Sequence, residues 1–144
     1  MEKTPDDSKA EVIIRMFPSD ANPAGNVFGG AILKHIDMVA GIVAQRFSQT
    51  NAVTVSMDKI SFLKPVFVGN VLFVKARVNY VQKSSMEIEV NVEAEDIAKG
   101  TRVHTGNAYV TFVALDFSCL ALKSRRAPTH ISLVVIKDAI KAIK

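Results

Sequence analysis

The chain has no tryptophan, one cysteine and three histidines among its 144 residues. A lone cysteine, Cys119, excludes an intrachain disulfide, and its expected role is that of a small buried apolar residue. His35, His104 and His130 are scattered and show no ligand spacing, so no metal site is expected. No uninterrupted apolar run is long enough to span a bilayer. The opening Met1–Asp7 is polar and lacks the apolar segment of a signal peptide, which predicts a cytoplasmic protein. No Gly-x-Ser-x-Gly segment occurs, which argues against a nucleophile-elbow serine hydrolase. Charge of either sign is not dominant: 18 basic against 14 acidic residues leave +4. That excess suits an anionic small molecule as well as nucleic acid. No stretch interleaves basic and aromatic residues, so no nucleic-acid partner is expected.

What is present is apolar sequence with clear periodicity. Hydrophobic residues make up 49% of the chain, enough to build a core and to exclude disorder. The length fits one domain burying roughly 70% of its unfolded surface. Residues 1–9 read as a loose tail, 10–117 as the domain, and 118–144 as a linker followed by a helix. Glu11–Met16 forms a first strand candidate. Pro18, Pro23, Gly25 and the Asp20/Asn22 pair mark a loop. From Phe28 to Phe47 the pattern is helical, a rod of nearly 30 Å at about 1.5 Å per residue. On a wheel, Ile32, Leu33, Ile36, Val39, Ala40, Val43 and Phe47 share one face. Lys34, His35, Gln45 and Arg46 lie opposite, which places His35 on the surface. Gly30, Asp37, Gly41 and Ala44 form a flanking stripe open to close approach.

Strands follow. Val53, Val55 and Met57 alternate with Thr54, Ser56 and Asp58. Leu72, Val74, Ala76, Val78 and Tyr80 line one face of the next, with Lys75, Arg77 and Asn79 on the other. Met86, Ile88, Val90, Val92 and Ala94 then alternate with Glu87, Glu89, Asn91, Glu93 and Glu95. The two make a hairpin whose outer face matches cations to glutamates. Apolar positions align only if an odd number of residues separates the strands. A last strand runs from Arg102 to Asp116. Ile136, Ala139, Ile140 and Ile143 predict a terminal helix. The expected fold class is α+β, an antiparallel sheet curved around one long helix.

Asn22-Pro23-Ala24-Gly25-Asn26-Val27-Phe28-Gly29-Gly30 opens onto that helix, and Asp37 sits two turns inside it. Adjacent glycines at a helix start leave backbone N–H groups approachable, and the helix dipole favours negative charge there. The N–H groups of Gly29 and Gly30 are therefore candidates to stabilise an oxyanion. A nearby carboxylate can activate water, so the pattern suits acyl transfer to water.

Three segments resemble the hotdog-fold acyl-CoA thioesterases of the cytosolic acyl-CoA hydrolase type. They are Asp20–Gly30 running on to Ile36–Ile42, Val53–Asp58 with Phe62 and Pro65–Gly69, and Lys83–Val90. The resemblance covers about residues 10–116 and leaves the final stretch unassigned. It implies a hotdog fold and hydrolysis of fatty acyl-CoA to free acid and CoA, with CoA part of substrate and product and no other cofactor. It implies Asp37 as general base or nucleophile and Asn22 as its partner from the other subunit, with Asn26 the rival to Asn22. Vertebrate members carry two such domains. One domain per chain therefore implies a homodimer at least, and a hexamer built as a trimer of dimers. Thr54 and Ser56 are candidates to line the pocket near the reacting group, and Ser56 is the one assigned to substrate binding. Lys83, Ser84 and Ser85 offer a cation and two hydroxyls to the CoA phosphates, with Arg102 as a further candidate. Phe28, Met57 and Phe62 are candidate walls for the acyl chain. Two other readings use the same fold: an acyl-CoA-binding sensor without catalysis, and an enoyl-thioester hydratase or dehydratase. The latter normally pairs a histidine with an acid, and His35 falls on the wrong face for it.

Overall fold

The computed structural model describes residues 5–115. The expected end of the last strand, the linker and terminal helix, Cys119 and His130 lie outside them. Five strands form one antiparallel sheet: β1 (Ala10–Arg15), β2 (Ala52–Phe62), β3 (Val71–Val81), β4 (Ser85–Asp96) and β5 (Thr101–Ala114). Their order across the sheet is β1-β3-β4-β5-β2. Between β1 and β2 the chain forms α1 (Gly29–Ser48), a 20-residue helix that packs against all five strands. The expected architecture, one sheet around one long helix, is the one observed. The first residues differ from expectation. Pro5–Ser8 form a 3-10 turn, Ser8 is fully buried, and the Lys9 carbonyl accepts a hydrogen bond from Arg46. Ser8 and the Lys9 carbonyl are therefore engaged with the domain, within the stretch expected to be a loose tail.

The helix buries Ile32, Ile36, Val39, Ala40, Val43, Ala44, Phe47 and Ser48. Ala44 thus belongs to the core and not to the flanking stripe. The helix ends where Gln49 turns left-handed (φ 58°) and donates its N–H to Gln45. Against it lies the sheet's inner face: Leu72, Val74, Ala76 and Val78 of β3, Met86, Ile88, Val90 and Val92 of β4, and Ala108, Val110 and Phe112 of β5, all buried.

The β3–β4 hairpin has the expected partners: Leu72 faces Ala94, Val74 faces Val92, Ala76 faces Val90 and Val78 faces Ile88. At its closed end Val81 faces Met86, with four residues between, an even number. A bulge between Val78 and Tyr80 supplies the missing residue and restores the match of apolar to apolar. Val81 thereby replaces Tyr80 as the last inward residue, and Tyr80 lies opposite Glu87. On the outer face the charges meet as expected. Arg77 Nε lies 2.6 Å from Glu89 Oε2, and Lys75 Nζ lies 3.1 Å from Glu93 Oε2.

β2 departs further from a regular strand. Thr54 faces Phe112, but Ser56 faces Thr111, so Val55 is an extra residue. A second irregularity lies between Asp58 and Ser61, where Lys59 takes a positive φ of 51°. Paired residues share a face, so the Val55 bulge turns Thr54 inward with Phe112 and Ser56 outward with Thr111.

Candidate active site

Asp37 emerges from the middle of α1 beside β2. Thr54 donates its hydroxyl to Asp37 Oδ1 at 2.6 Å, a short charge-assisted bond. One turn further along the helix, Gly41 lies against Phe112: a Cβ there would sit 3.7 Å from its ring. Thr54 reaches Asp37 because the Val55 bulge puts it on the helix side. The same bulge removes Ser56, which instead donates to Asp58 Oδ2 at 3.3 Å on the outer face. Within one chain, the bulge thus separates Ser56 from the Asp37–Thr54 pair. Thr54 was recognisable as a hydroxyl near the carboxylate, but only the bulge separates it from Ser56.

The loop before α1 is tied by its own amides. Asn22 Oδ1 accepts the N–H of Ala24 at 3.0 Å and of Asn26 at 3.1 Å, while Asn22 N–H donates to the Asn26 carbonyl at 2.7 Å. The acceptor side of the Asn22 amide is thus used, and its Nδ2 group makes no hydrogen bond among the described residues. Phe28 N–H donates to the Asp20 carbonyl at 2.7 Å, which fixes the loop exit. Phe28 is the N-cap of α1 and no side chain caps the helix start. The Gly29 and Gly30 N–H groups are accordingly left as donors at the positive end of the helix dipole. The Phe28 ring lies over Gly30 so closely that a Cβ would collide with it, and Phe62 lies beside Gly29. Phe28 and Phe62 are both exposed, whereas Met57 packs against the core.

Two groups of functional atoms result. Asn22, Gly29 and Gly30 supply donors at the helix start. Asp37, hydrogen-bonded by Thr54, places a carboxylate at mid-helix, seven residues beyond Gly30 and therefore about 10 Å along the axis. In one chain they do not converge on a single reacting atom. Clefts of about 630 and 460 Å³ open elsewhere on the surface, and Asp37 lines neither.

The proposed CoA contacts also separate. Thr54 faces Phe112 and Phe112 faces Met86, so Ser85 lies two strands from Thr54, about 10 Å across the sheet. Lys83 is exposed in that loop. Ser84 uses its carbonyl to accept Ala114 N–H, and Ser85 is buried with its hydroxyl 3.3 Å from Gln82. Arg102 faces Glu95, ten residues along β4 from Ser85, roughly 30 Å away. Its guanidinium lies 2.6 Å from Glu93, 3.7 Å from Glu11 and 3.4 Å from the Phe73 ring centroid. Arg102 therefore braces the outer face of the sheet and does not join Lys83 within one chain. Burial alone would raise the Glu93 pKa, but hydrogen bonds from Lys75 and Arg102 outweigh it and hold the carboxyl below its ordinary value.

His35 is half-buried, not on the surface as the wheel implies. Its Nδ1 is buried without a hydrogen-bond partner. Burial depresses its pKa below 6.5, opposed by Asp20 and aided by Lys34. No cluster of three potential metal ligands occurs among the described residues. No helix among them is long and apolar enough to cross a membrane.

Residues 24–101 match the thioesterase superfamily. The chain is 38% identical over 110 residues to an uncharacterised acyl-CoA thioester hydrolase of Bacillus subtilis, a match covering 76% of this chain and 64% of that protein. It thus spans under two-thirds of that relative's length. Among solved structures it resembles the acyl-CoA hydrolase of Staphylococcus aureus in complex with butyryl-CoA, CoA and CoA disulfide (TM-score 0.78, 29% identity, 98% of this chain and 87% of the other). It also resembles a hexameric hotdog-fold thioesterase of Campylobacter jejuni (TM-score 0.70, 35% identity, 88% and 92%). The Staphylococcus enzyme was also solved with an asparagine, an aspartate and a threonine each replaced by alanine. Those residues are separated by 15 and 17 positions, the separations of Asn22, Asp37 and Thr54 here.

Proposed function

The chain belongs to the thioesterase superfamily, and from that premise we propose that it hydrolyses the thioester of fatty acyl-CoA, releasing a carboxylic acid and CoA. The observation that carries the reading is the Thr54–Asp37 hydrogen bond on a helix whose start presents unsatisfied donors. With Oδ1 held by Thr54, Asp37 turns Oδ2 toward a water molecule. As the water oxygen attacks the thioester carbon, Asp37 takes its proton. The carbonyl oxygen becomes an oxyanion, for which the Asn22 amide and the Gly29 and Gly30 N–H groups are donors of the right kind. Collapse of the tetrahedral intermediate breaks the carbon–sulfur bond, and the proton on Asp37 passes to the departing thiolate. Direct attack by Asp37 through an anhydride uses the same atoms. Because Asn22 Oδ1 is already engaged, its amide serves as a donor and does not position water as an acceptor.

The base and the donors are about 10 Å apart along one helix, so a complete site takes Asp37 and Thr54 from one copy and Asn22, Gly29 and Gly30 from another. A homodimer is the minimum unit, and a trimer of dimers is the proposed assembly, in keeping with the hexameric relative. Exposed Phe28, Phe62 and Met38 offer apolar surface for the acyl chain or the partner copy. Lys83, with Ser84 and Ser85 beside it, is proposed to meet the CoA phosphates from the same end of the sheet as Thr54. No cofactor enters these steps, and a cytoplasmic location is proposed from the similarity to cytosolic acyl-CoA thioester hydrolases. The test is release of free thiol from short- to long-chain acyl-CoAs. Turnover in the wild type and a loss of about 10²–10⁴-fold in Asp37→Ala is expected for removal of a general base. Tight binding of acyl-CoA with no thiol release from the wild type would overturn hydrolysis in favour of a sensor.

A further inference from the structure

Two aromatic rings flank the Gly29 and Gly30 donors. Phe28 is pinned on both sides of its own backbone. Its N–H donates to the Asp20 carbonyl at 2.7 Å, and its carbonyl accepts Ala31 N–H at 3.0 Å. From that fixed point its ring folds back onto Gly30, where even a Cβ would collide with it. Only a residue without a side chain admits the ring there, so Phe28 and Gly30 set the contact together. Phe62, the last residue of β2, rests on the neighbouring glycine with more slack: a Cβ on Gly29 would stand at an ordinary 3.7 Å from its ring. Away from the glycines both side chains are open, Phe28 being 58% and Phe62 51% exposed. Two apolar rings thus stand beside two polar donors, the combination that a small apolar group carrying one carbonyl oxygen would fit.

We propose that Phe28 is a specificity-determining residue that restricts hydrolysis to thioesters unbranched at the α-carbon of the acyl group. The inference rests on the thioesterase reading and on the Gly29 and Gly30 N–H groups receiving the thioester oxygen. An oxygen accepted by those groups lies about 2.9 Å from their nitrogens. The acyl α-carbon is two bonds from that oxygen, about 2.4 Å away. It therefore stands within contact range of side chains that rest on the two glycines. A straight chain presents a CH2 group to the rings. A branch adds a methyl group at that carbon, and the Phe28 ring cannot retreat toward the helix because it already lies on Gly30. In close packing an added methyl without space is costly. Phe62, with room for a methyl between its ring and Gly29, forms the looser wall.

Thiol release from butyryl-CoA and isobutyryl-CoA tests the assignment, since the two substrates differ only in the branch. The readout is the ratio of their kcat/KM values. The wild type is expected to favour butyryl-CoA by about 10-fold or more, the scale of one methyl group in an apolar site. Phe28→Ala is expected to shrink that preference by about 5-fold or more, and Phe28→Tyr, which keeps the ring, to retain it. Ile13→Ala, at an exposed residue of β1, should leave the ratio unchanged. Phe28 is exposed, so far-ultraviolet circular dichroism should report an intact fold in both of its variants. A purely structural role for Phe28 would slow both substrates together and leave the ratio as it was, which would overturn the proposal. Equal hydrolysis of the two substrates by the wild type would overturn it as well, while leaving the thioesterase reading in place. A preference that follows Phe62→Ala and ignores Phe28→Ala would overturn it in favour of Phe62. Absence of thiol release from straight-chain and branched substrates alike would overturn the thioesterase reading and this inference with it.

Discussion

Thr54 is the residue on which the chemistry turns most finely. Its hydroxyl fixes one Asp37 oxygen at 2.6 Å, so removing it leaves the proposed base present but unaimed. Thr54→Ala is expected to lower kcat about 10- to 100-fold, the scale of a hydrogen bond to a charged group, with little change in KM. Thr54→Ser, which keeps the hydroxyl, should recover most of that loss. Equal losses in both variants would mean that the methyl group, and not the hydrogen bond, matters. His35 gives a prediction about stability. Burial lowers its folded-state pKa, so between that value and 6.5 the unfolded chain binds a proton that the folded chain refuses. Stability therefore falls as pH drops below about 6.5 and levels off below the folded pKa. Thermal melts from pH 8 to 5 should show this slope in the wild type and a shallower one in His35→Gln. An unchanged slope would place the acid sensitivity elsewhere. Residue identity made Asp37 conspicuous, but no residue-level signal separates Thr54 from Ser56. Arg102 read as a ligand cation because its partners Glu93, Glu11 and Phe73 come from three other strands.

At the scale of elements, β2 is where the sequence was least legible. Its alternation of Val53, Val55 and Met57 implies a regular strand, yet bulges at Val55 and before Ser61 break it. Bulges depend on the partner strand and leave little trace in a single strand's pattern. The β3–β4 hairpin was far more legible, since long alternation and matched charges fixed both face and pairing. Only the parity of its loop required a bulge that the pattern did not announce. Glycines test the packing of these elements. A Cβ at Gly106 would collide with the Ser61 carbonyl oxygen, a backbone atom of the irregular part of β2. Gly106→Ala should cost about 1–3 kcal/mol, seen as a lower urea midpoint, because the strands must separate to admit it. At Gly41 the added methyl meets the Phe112 ring at ordinary contact distance, and alanine favours a helix by about 1 kcal/mol. Gly41→Ala should therefore be neutral or stabilising. The reverse order of the two variants would contradict the packing of β2 against β5.

For the whole molecule, the overall architecture was readable because one 20-residue apolar helix and long alternating strands permit few arrangements. The completeness of the site was not, since helix geometry separates the donors from Asp37 within one chain and the proposed site needs a second copy to bring them together. The resemblance implied Asn22 from the other subunit, and the spacing of about 10 Å along α1 is a physical reason to propose such a division. If the halves meet across an interface, chains lacking only one half must complement each other. The direct measurement is thiol release from acyl-CoA by Asn22→Ala and Asp37→Ala chains, each alone and after unfolding and refolding together in equal amounts. Each variant alone should be nearly inactive. Random pairing makes half the dimers mixed, each with one intact site of two, so the mixture should recover about a quarter of wild-type activity. A refolded mixture no more active than its components would contradict a site shared between copies.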